Sequence, residues 1–479
     1  MEYESVIGLE VHAQLLTESK IFCGCSTRFG QAPNYSTCPV CAGFPGVLPV
    51  LNKKVVEFAL RAGLAMHCKV ARHSRLARKN YFYPDLPKGY QISQYELPIC
   101  TNGYIDITLD STTKRVRLTR IHMEEDAGKN IHDLLNGSSL VDLNRSGVPL
   151  LEIVSEPDIR SAAEAGSYLR ALRAMLQYLE ICDGNLEEGS FRCDANISVR
   201  LLGTNALGTK VEIKNLNSFK GIEKALQYET ERQIETLSEG GTLVQETRLW
   251  DDNNEQTRSM RSKESAYDYR YFPDPDLLPL NLDEKWIQQI RTALPELPDV
   301  RRMRFMSQYG LPAYDAELLT SRRDVADYFE AAISTYPNAK GISNWIIGEL
   351  FRLMKERKLD EQLRIDDWPI QAKHLAELVQ LIDQGTISGK IAKIVFDAVI
   401  DTNQSPQTII KQRGLEQVSD VASIETMIDQ VLTSYPKQIA DYRSGNEKIF
   451  GFLVGQVMKV SRGKANPQKV NEILKTKLS

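Results

Sequence analysis

No apolar run in the 479-residue chain approaches the roughly 18 residues a membrane-spanning helix needs; the longest, near 449–458, is about ten. A membrane partner is not expected. The start, Met1-Glu2-Tyr3-Glu4, runs straight into a strand pattern, so neither a secretory signal nor an Arg-rich transit peptide is read there. Gly-x-x-x-x-Gly-Lys-Ser/Thr and Gly-x-Gly-x-x-Gly do not occur, which puts any bound nucleotide outside the P-loop and Rossmann classes. A Gly-x-Ser-x-Gly elbow is also absent. Positive charge is not in excess: 59 basic residues face 63 acidic ones, a net of −4. That excludes a globally basic nucleic-acid binder while leaving local patches open; DNA is not an expected partner. Internal repeats and low-complexity tracts are missing. With 42% hydrophobic and 25% charged residues, the composition is that of a folded chain, not of collagen or a disordered segment. The length corresponds to about three domains of roughly 150 residues.

Eight cysteines fall at 23, 25, 38, 41, 68, 100, 182 and 193. Secreted disulfide scaffolds are not arranged in this way, and a chain of this length does not need such staples. A reducing, bacterial-type cytosol is the expected compartment. Cys23-x-Cys25 and Cys38-x-x-Cys41 supply two close thiol pairs, the pattern with which turns close on a tetrahedral zinc ion. The alternative is a quartet of free thiols that happen to cluster. No open position is evident, so such a zinc would be structural. Cys68, Cys100, Cys182 and Cys193 read as buried hydrophobes rather than nucleophiles.

The predicted fold is α+β with a mainly antiparallel sheet, followed by helical domains. Residues 6–15 alternate with period two, and 104–109 with 116–121 read as a hairpin. Helical spacing covers 52–67. Ser161 followed by Glu164 signals a capped helix running to about 181. Strands at 191–201 and 209–214 precede a helix at 219–239. Prolines 273, 275, 279, 295 and 298 mark a linker region. Beyond it, 283–306, 322–335, 342–358, 370–384 and 388–400 carry helical periodicity. A break at 402–406 precedes a last helical segment, and residues 437–479 hold nine Lys/Arg against three Asp/Glu. The expected domains are therefore 1–292, 293–405 and 406–479.

Period-two strands also sort polar groups. With Ile7, Leu9, Val11 and Leu15 facing a core, Glu10, His12 and Gln14 share the other face. Asp194, Asn196, Ser198 and Arg200 do the same in 191–201, and Lys210, Glu212 and Lys214 in the next strand. Glu124-Glu125-Asp126 add three consecutive acids at a strand end. Carboxylates gathered on one face repel unless a cation sits among them, and hard oxygen donors suit Mg²⁺. The competing reading is the plain solvated side of an antiparallel sheet. Lys69, Arg72, Arg75, Arg78, Lys79 and Lys88 are interleaved with Tyr81, Phe82, Tyr83 and Tyr90, which could receive phosphates and stack a base. They read equally as a solvated charge run with core aromatics.

Several long blocks make these segments specific. Ile7-Gly-Leu-Glu-Val-His12, Arg78-Lys-Asn-Tyr-Phe-Tyr-Pro-Asp85, Lys88-Gly-Tyr-Gln-Ile-Ser-Gln94, His122-Met-Glu-Glu-Asp-Ala-Gly-Lys129, Arg192-Cys-Asp-Ala-Asn-Ile-Ser198, Glu212-Ile-Lys-Asn-Leu-Asn-Ser218 and Asp268-Tyr-Arg-Tyr-Phe-Pro273 are among them. Across nearly the whole chain they resemble the B-subunit family of aspartyl/glutamyl-tRNA amidotransferases. The resemblance implies a cradle domain, a helical domain and a small tail domain. It implies ATP-dependent phosphorylation of the side-chain carboxylate of Glu on tRNA(Gln) or Asp on tRNA(Asn), with phosphate then displaced by ammonia. The implied partners are misacylated tRNA, the glutaminase of the same complex (its A subunit), and a small C subunit. Glu10, His12, Glu125, Asp194 and Glu212 would be catalytic, with Glu10, His12, Glu125 and Glu212 holding Mg²⁺. Lys79, Tyr81, Lys88, Asn215 and Ser218 would bind nucleotide or the aminoacyl end. The Cys23/Cys25/Cys38/Cys41 set resembles a zinc site found in part of the family, and Lys459, Arg462 and Lys464 would touch the tRNA body. Two other classes remain at this point: a Mg²⁺-dependent hydrolase or kinase of a small molecule, and a non-catalytic zinc- and RNA-binding protein.

Overall fold

The computed structural model describes residues 2–109, 112–133, 138–260, 268–357, 368–417, 420–461 and 464–478. The chain forms two compact units, Met1–Leu297 and Pro298–Ser479.

A nine-stranded sheet dominates the first unit. Numbered along the chain, its strands are β1 (Tyr3–Gln14), β2 (Lys69–Val70), β3 (Cys100–Leu109), β4 (Thr112–Glu125), β5 (Pro149–Ser155), β6 (Phe191–Leu201), β7 (Val211–Leu216), β8 (Glu246–Asp251) and β9 (Gln256–Ser259). Their order across the sheet is β9-β8-β7-β6-β1-β5-β4-β3-β2. Neighbours run antiparallel, except that β7 and β8 are parallel. β1 is central, so its alternation decides both faces of the sheet. Ile7, Leu9, Val11 and Ala13 are buried in one apolar cluster. That cluster also takes Val55, Ala59 and Leu60 from helix α1 (Lys53–Ala65), Leu169, Leu172 and Leu176 from α2 (Ala162–Tyr178), and Ile222 and Leu226 from α3 (Phe219–Ser238).

The capping signal at Ser161 has a specific form. Ser161 Oγ accepts the Glu164 N–H at 3.1 Å, while Glu164 reaches back to the N–H of Arg160, one residue earlier than in the usual box. Cys68, Cys100, Cys182 and Cys193 are buried, as hydrophobes of their size should be. Burial pushes the Cys68 and Cys182 thiols up to about 12. Two of them also explain two glycines. A Cβ on Gly63 would lie 2.2 Å from Cys100 Sγ, and one on Gly103 2.3 Å from Cys68 Sγ, so these close approaches exclude any side chain.

The expected helix over 283–306 is instead two. Glu284–Thr292 gives Ile287 and Ile290 to the core of the first unit, and a new helix begins at Pro298–Tyr309. Pro295 and Pro298, which restrict the residues before them, fall at the break. The second unit is all helix among its described residues. One apolar cluster runs from Phe305 to Ile410, and a second, smaller one from Ile424 to Leu478. Ile409 and Ile410 pack into the first of these, so the change of core falls after the helix Pro406–Arg413 rather than before it. No helix among the described residues is long and apolar enough to cross a membrane.

Candidate active site

The polar face of β1 carries a dense collection of charge. His12 Nε2 lies 3.7 Å from the Glu10 carboxylate, 3.6 Å from Glu124 and 3.4 Å from Glu152. Strand register accounts for this gathering. His12 is opposite Glu152 across β1–β5, and Glu152 is opposite His122 across β5–β4. On the other side, Glu10 is opposite Asp194 across β1–β6. Ligand atoms of Glu10, His12 and Asp194 lie within 4.8 Å of one another, and so do those of His12, Glu124 and Glu152.

The electrostatics follow from crowding. Burial raises the Glu10 carboxyl, and Glu152 and Asp194 add to the rise while His12 opposes it. Burial alone would lower His12, but its hydrogen bond to Glu152 and the charges of Glu124, Glu152 and Glu10 carry it upward. His122 also starts from a burial penalty, which Glu152 and Glu124 overturn to bring it to about 9. Arg120 Nε, 3.3 Å from His122 Nδ1, favours the neutral ring and works against that rise. Despite burial, Glu152 is held well below the usual carboxylate range by His122 and His12. The donor set of clustered carboxylate oxygens and one imidazole, with Glu10 already disfavoured as an anion, fits a hard divalent cation such as Mg²⁺.

The predicted site residues divide. Glu10, His12 and Asp194 come together. Glu212 is on the same face one strand further out: it accepts from Thr247 Oγ1 at 2.8 Å, and Lys214 bridges it to Asp194 at 3.4 and 3.3 Å. Glu125 does not join His12. Alternation along β4 turns Glu124 to the His12 face and Glu125 away from it, where Glu125 pairs with Lys88 and accepts the Ile92 N–H at 2.8 Å. Lys88 is thereby committed to Glu125. Lys79 Nζ lies 4.8 Å from the Tyr269 ring and 5.8 Å from Tyr81. The Tyr81 hydroxyl is raised by burial first and then by the charge of Glu124, which ties it to the acidic face. Arg78 is held by Asp274 and Asp276 at 2.8 and 2.9 Å. Ser218 Oγ caps α3 through the Gly221 N–H, and Asn215, at φ +65°, donates to the Trp250 carbonyl. In the tail Lys459 is exposed and Lys464 donates to the Gly414 carbonyl at 2.6 Å, while Arg462 lies outside the described residues.

Glu124, Glu152 and His122 were not singled out as ligands from sequence. The signal for Glu152 is a lone acid in the apolar run Pro149–Ser155, which a buried strand keeps only with partners. Beside the face, Asp126 accepts from Gln14 at 2.9 Å and pairs with Arg192 at 3.1 Å. Gln14 also borders a cavity of about 780 Å³ with Arg28, Tyr35, Asp183 and Ser190 in its wall.

The four clustered cysteines form a second centre, their sulfurs all within 4.8 Å of one another. Cys38 and Cys41 sulfurs are 3.9 Å apart, against roughly 3.8 Å for the edge of a tetrahedron with Zn–S bonds of about 2.3 Å. Hydrogen bonding from Cys23 pulls the Cys41 thiol down to about 4, with Lys20 assisting. The donor set fits zinc.

Comparison with known proteins gives a consistent result. The family model described as the GatB/GatE catalytic domain matches residues 5–288, and that described as the GatB domain matches 327–478. The B subunit of the aspartyl/glutamyl-tRNA(Asn/Gln) amidotransferase of Geotalea daltonii is 59% identical over the full length of both chains. The proteins of the same name from Geobacter sulfurreducens and Thermodesulfovibrio yellowstonii are 58% and 56% identical, over 100% and 99% of each chain.

Proposed function

This chain belongs to the B-subunit family of aspartyl/glutamyl-tRNA(Asn/Gln) amidotransferases, and from that premise we propose that the polar face of its large sheet is where the aminoacyl side chain is activated. It is one subunit of a carbon–nitrogen ligase that uses glutamine as amido donor and converts misacylated Glu-tRNA(Gln) and Asp-tRNA(Asn) to Gln-tRNA(Gln) and Asn-tRNA(Asn). In our reading the reaction consumes ATP. The substrate carboxylate attacks the γ-phosphorus, ADP leaves, and ammonia displaces phosphate from the acyl phosphate to leave the amide.

Phosphoryl transfer asks the protein for positioning and charge neutralisation more than for covalent chemistry. Glu10, His12, Asp194, Glu124 and Glu152 would hold Mg²⁺, which supplies neutralisation of phosphate charge when bound. Glu212 and Lys214 would extend this face. His122, clamped between Glu124 and Glu152, would fix the directions of both carboxylates. Ammonia arriving as ammonium must lose a proton, and a carboxylate of the face or His12 would accept it. Lys79, with Tyr81, would meet phosphates or the aminoacyl end. Zinc at Cys23, Cys25, Cys38 and Cys41 would be structural. The first unit, 1–297, would be the catalytic cradle, the core from Phe305 to Ile410 a helical domain, and the smaller core from Ile424 to Leu478 a tail using Lys459 and Lys464 on the tRNA body. The proposed protein partners are the glutaminase of the complex, its A subunit, together with a small C subunit, in a bacterial cytosol.

The observation that supports this reading most is the convergence of four carboxylates on His12. Its test is amide formation on Glu-tRNA(Gln) with ammonium chloride as nitrogen donor, using the assembled complex with wild-type or Glu10→Gln chain. Amidation that the variant loses supports the site. An assembled wild-type complex that hydrolyses glutamine yet amidates neither Glu- nor Asp-tRNA would refute it, and would favour phosphoryl transfer to a small molecule.

A further inference from the structure

Lys20 follows the first strand and is fully buried. Its Nζ donates to the Ser36 carbonyl at 2.8 Å, to the Leu143 carbonyl at 3.2 Å and to Cys41 Sγ at 3.5 Å. Three donors meeting three acceptors is the complement of an ammonium group. The two carbonyls are neutral, and among the described residues Lys20 makes no ion pair with a carboxylate. A buried cation without an opposite charge is costly; Glu125, in the same small pocket, is already paired with Lys88, which leaves the sulfur side to supply that charge. Four thiolates around one divalent ion carry a net charge of −2 and do so.

We propose that Lys20 is the buried counter-cation of a tetrathiolate metal centre at Cys23, Cys25, Cys38 and Cys41, and that it ties this centre to the 143–148 loop beside the acidic face. The proposal rests on the zinc reading above. The tie is not Lys20 alone. Ser146 Oγ donates to the Cys41 carbonyl at 3.1 Å, Ile21 N–H to the Gly147 carbonyl at 3.0 Å, and Ser36 N–H to Asn144 Oδ1 at 2.8 Å. From the same loop Gly147 N–H donates to the Asp126 carbonyl at 2.9 Å, and Asp126 N–H to the Val148 carbonyl at 2.8 Å. Asp126 in turn holds Gln14 and Arg192. A continuous hydrogen-bonded path thus runs from the thiols to the edge of the acidic face. The same path without metal would make Lys20 only a tether between loops.

The test uses the full chain in its assembled complex. Zinc content is measured by mass spectrometry and zinc affinity by competition with a chromophoric chelator, for wild type, Lys20→Met and Ser146→Ala. Loss of an outer partner of a metal ligand lowers metal affinity by about 10- to 100-fold, and that loss is expected for Lys20→Met, with Ser146→Ala close to wild type. If Lys20→Met does not fold, Lys20→Gln, which keeps donors without the charge, is expected to show the same loss. Hydrogen exchange on wild type, before and after stripping the metal, is expected to show protection falling at 143–148 as well as at 23–41. Wild-type affinity in the folded Lys20 variant, or unchanged protection of 143–148 in stripped protein, overturns the proposal. A wild-type chain that binds no zinc overturns the underlying metal reading instead, and so separates the two failures.

Discussion

The first unit holds two clusters of metal-type ligands, and they are built by opposite means. The acidic face is assembled by strand register: Glu152 must stand opposite His12, and Glu10 opposite Asp194, because the backbone ladder sets them there. The groups stay close even though they repel: burial first, and then the charges of Glu152 and Asp194, raise the Glu10 carboxyl. The thiol cluster sits on turns between Ser19 and Val50, where no ladder enforces proximity beyond a single Ser19–Ser26 bridge. A sheet can store like charges at a site and keep it ready for a cation, whereas turns need the ion to hold their shape. The acidic face should therefore lose function without losing fold, and the thiol cluster the reverse.

The sharpest break in this contrast is expected at Glu125, which sits on the knuckle side and lines a small pocket with Cys23, Cys41 and Lys88. Glu125→Gln strands the buried Lys88 ammonium, so a loss of about 3–5 kcal/mol is expected in chemical denaturation. Replacing both partners with Leu and Met should recover most of it. On the acidic face, Glu10→Gln is expected to lower ammonium-dependent amidation by about 100-fold or more, the scale of losing one charge-stabilising group at a reacting centre. The melting temperature should hold or rise, because one of the crowded anions is gone.

Cys38→Ser is expected to expose residues 23–50 to limited proteolysis while amidation falls far less than in Glu10→Gln, because the thiols are not part of the acidic face. A loss as deep as that of Glu10→Gln would erase the contrast. Ser218→Ala removes a helix cap and should cost about 1 kcal/mol of stability. An unchanged Michaelis constant for ATP in that variant would make Ser218 a structural residue only.

The last expectation concerns pH. His122 is raised from 6.5 to about 9, so its contribution to stability is full below about 6.5 and is lost as pH rises through about 9. The difference in urea midpoint between wild type and His122→Gln should shrink over that window. A constant difference would mean that the ring acts by packing alone.

Much of this arrangement was legible in the residues. Alternation in the first strand placed Glu10, His12 and Gln14 on one face because side chains of a strand have a period of two, and the cysteine spacing declared a four-thiol cluster. Partners across strands were harder. Nothing in a linear sequence says that β5 lies between β1 and β4, so it does not bring Glu152 and His122 to His12, and three consecutive acids do not show that alternation separates Glu125 from Glu124. Ser218 and Asn215 lie in a block that resembles the family, yet one caps a helix and the other holds a turn at positive φ, which a motif alone does not distinguish. Apolar spacing continues on both sides of Pro295 and Pro298, which hides the break between the helices Glu284–Thr292 and Pro298–Tyr309.

The central claim is that the side-chain carboxylate of the aminoacyl-tRNA is phosphorylated on the polar face of this sheet. Release of phosphate from γ-labelled ATP by the assembled complex, with charged or uncharged tRNA and with wild-type, Glu10→Gln or Cys38→Ser chain, tests it most directly. The account predicts cleavage that rises only with misacylated tRNA, vanishes in Glu10→Gln and persists in Cys38→Ser. Wild-type cleavage rates in Glu10→Gln, or cleavage indifferent to the aminoacyl group, would contradict it.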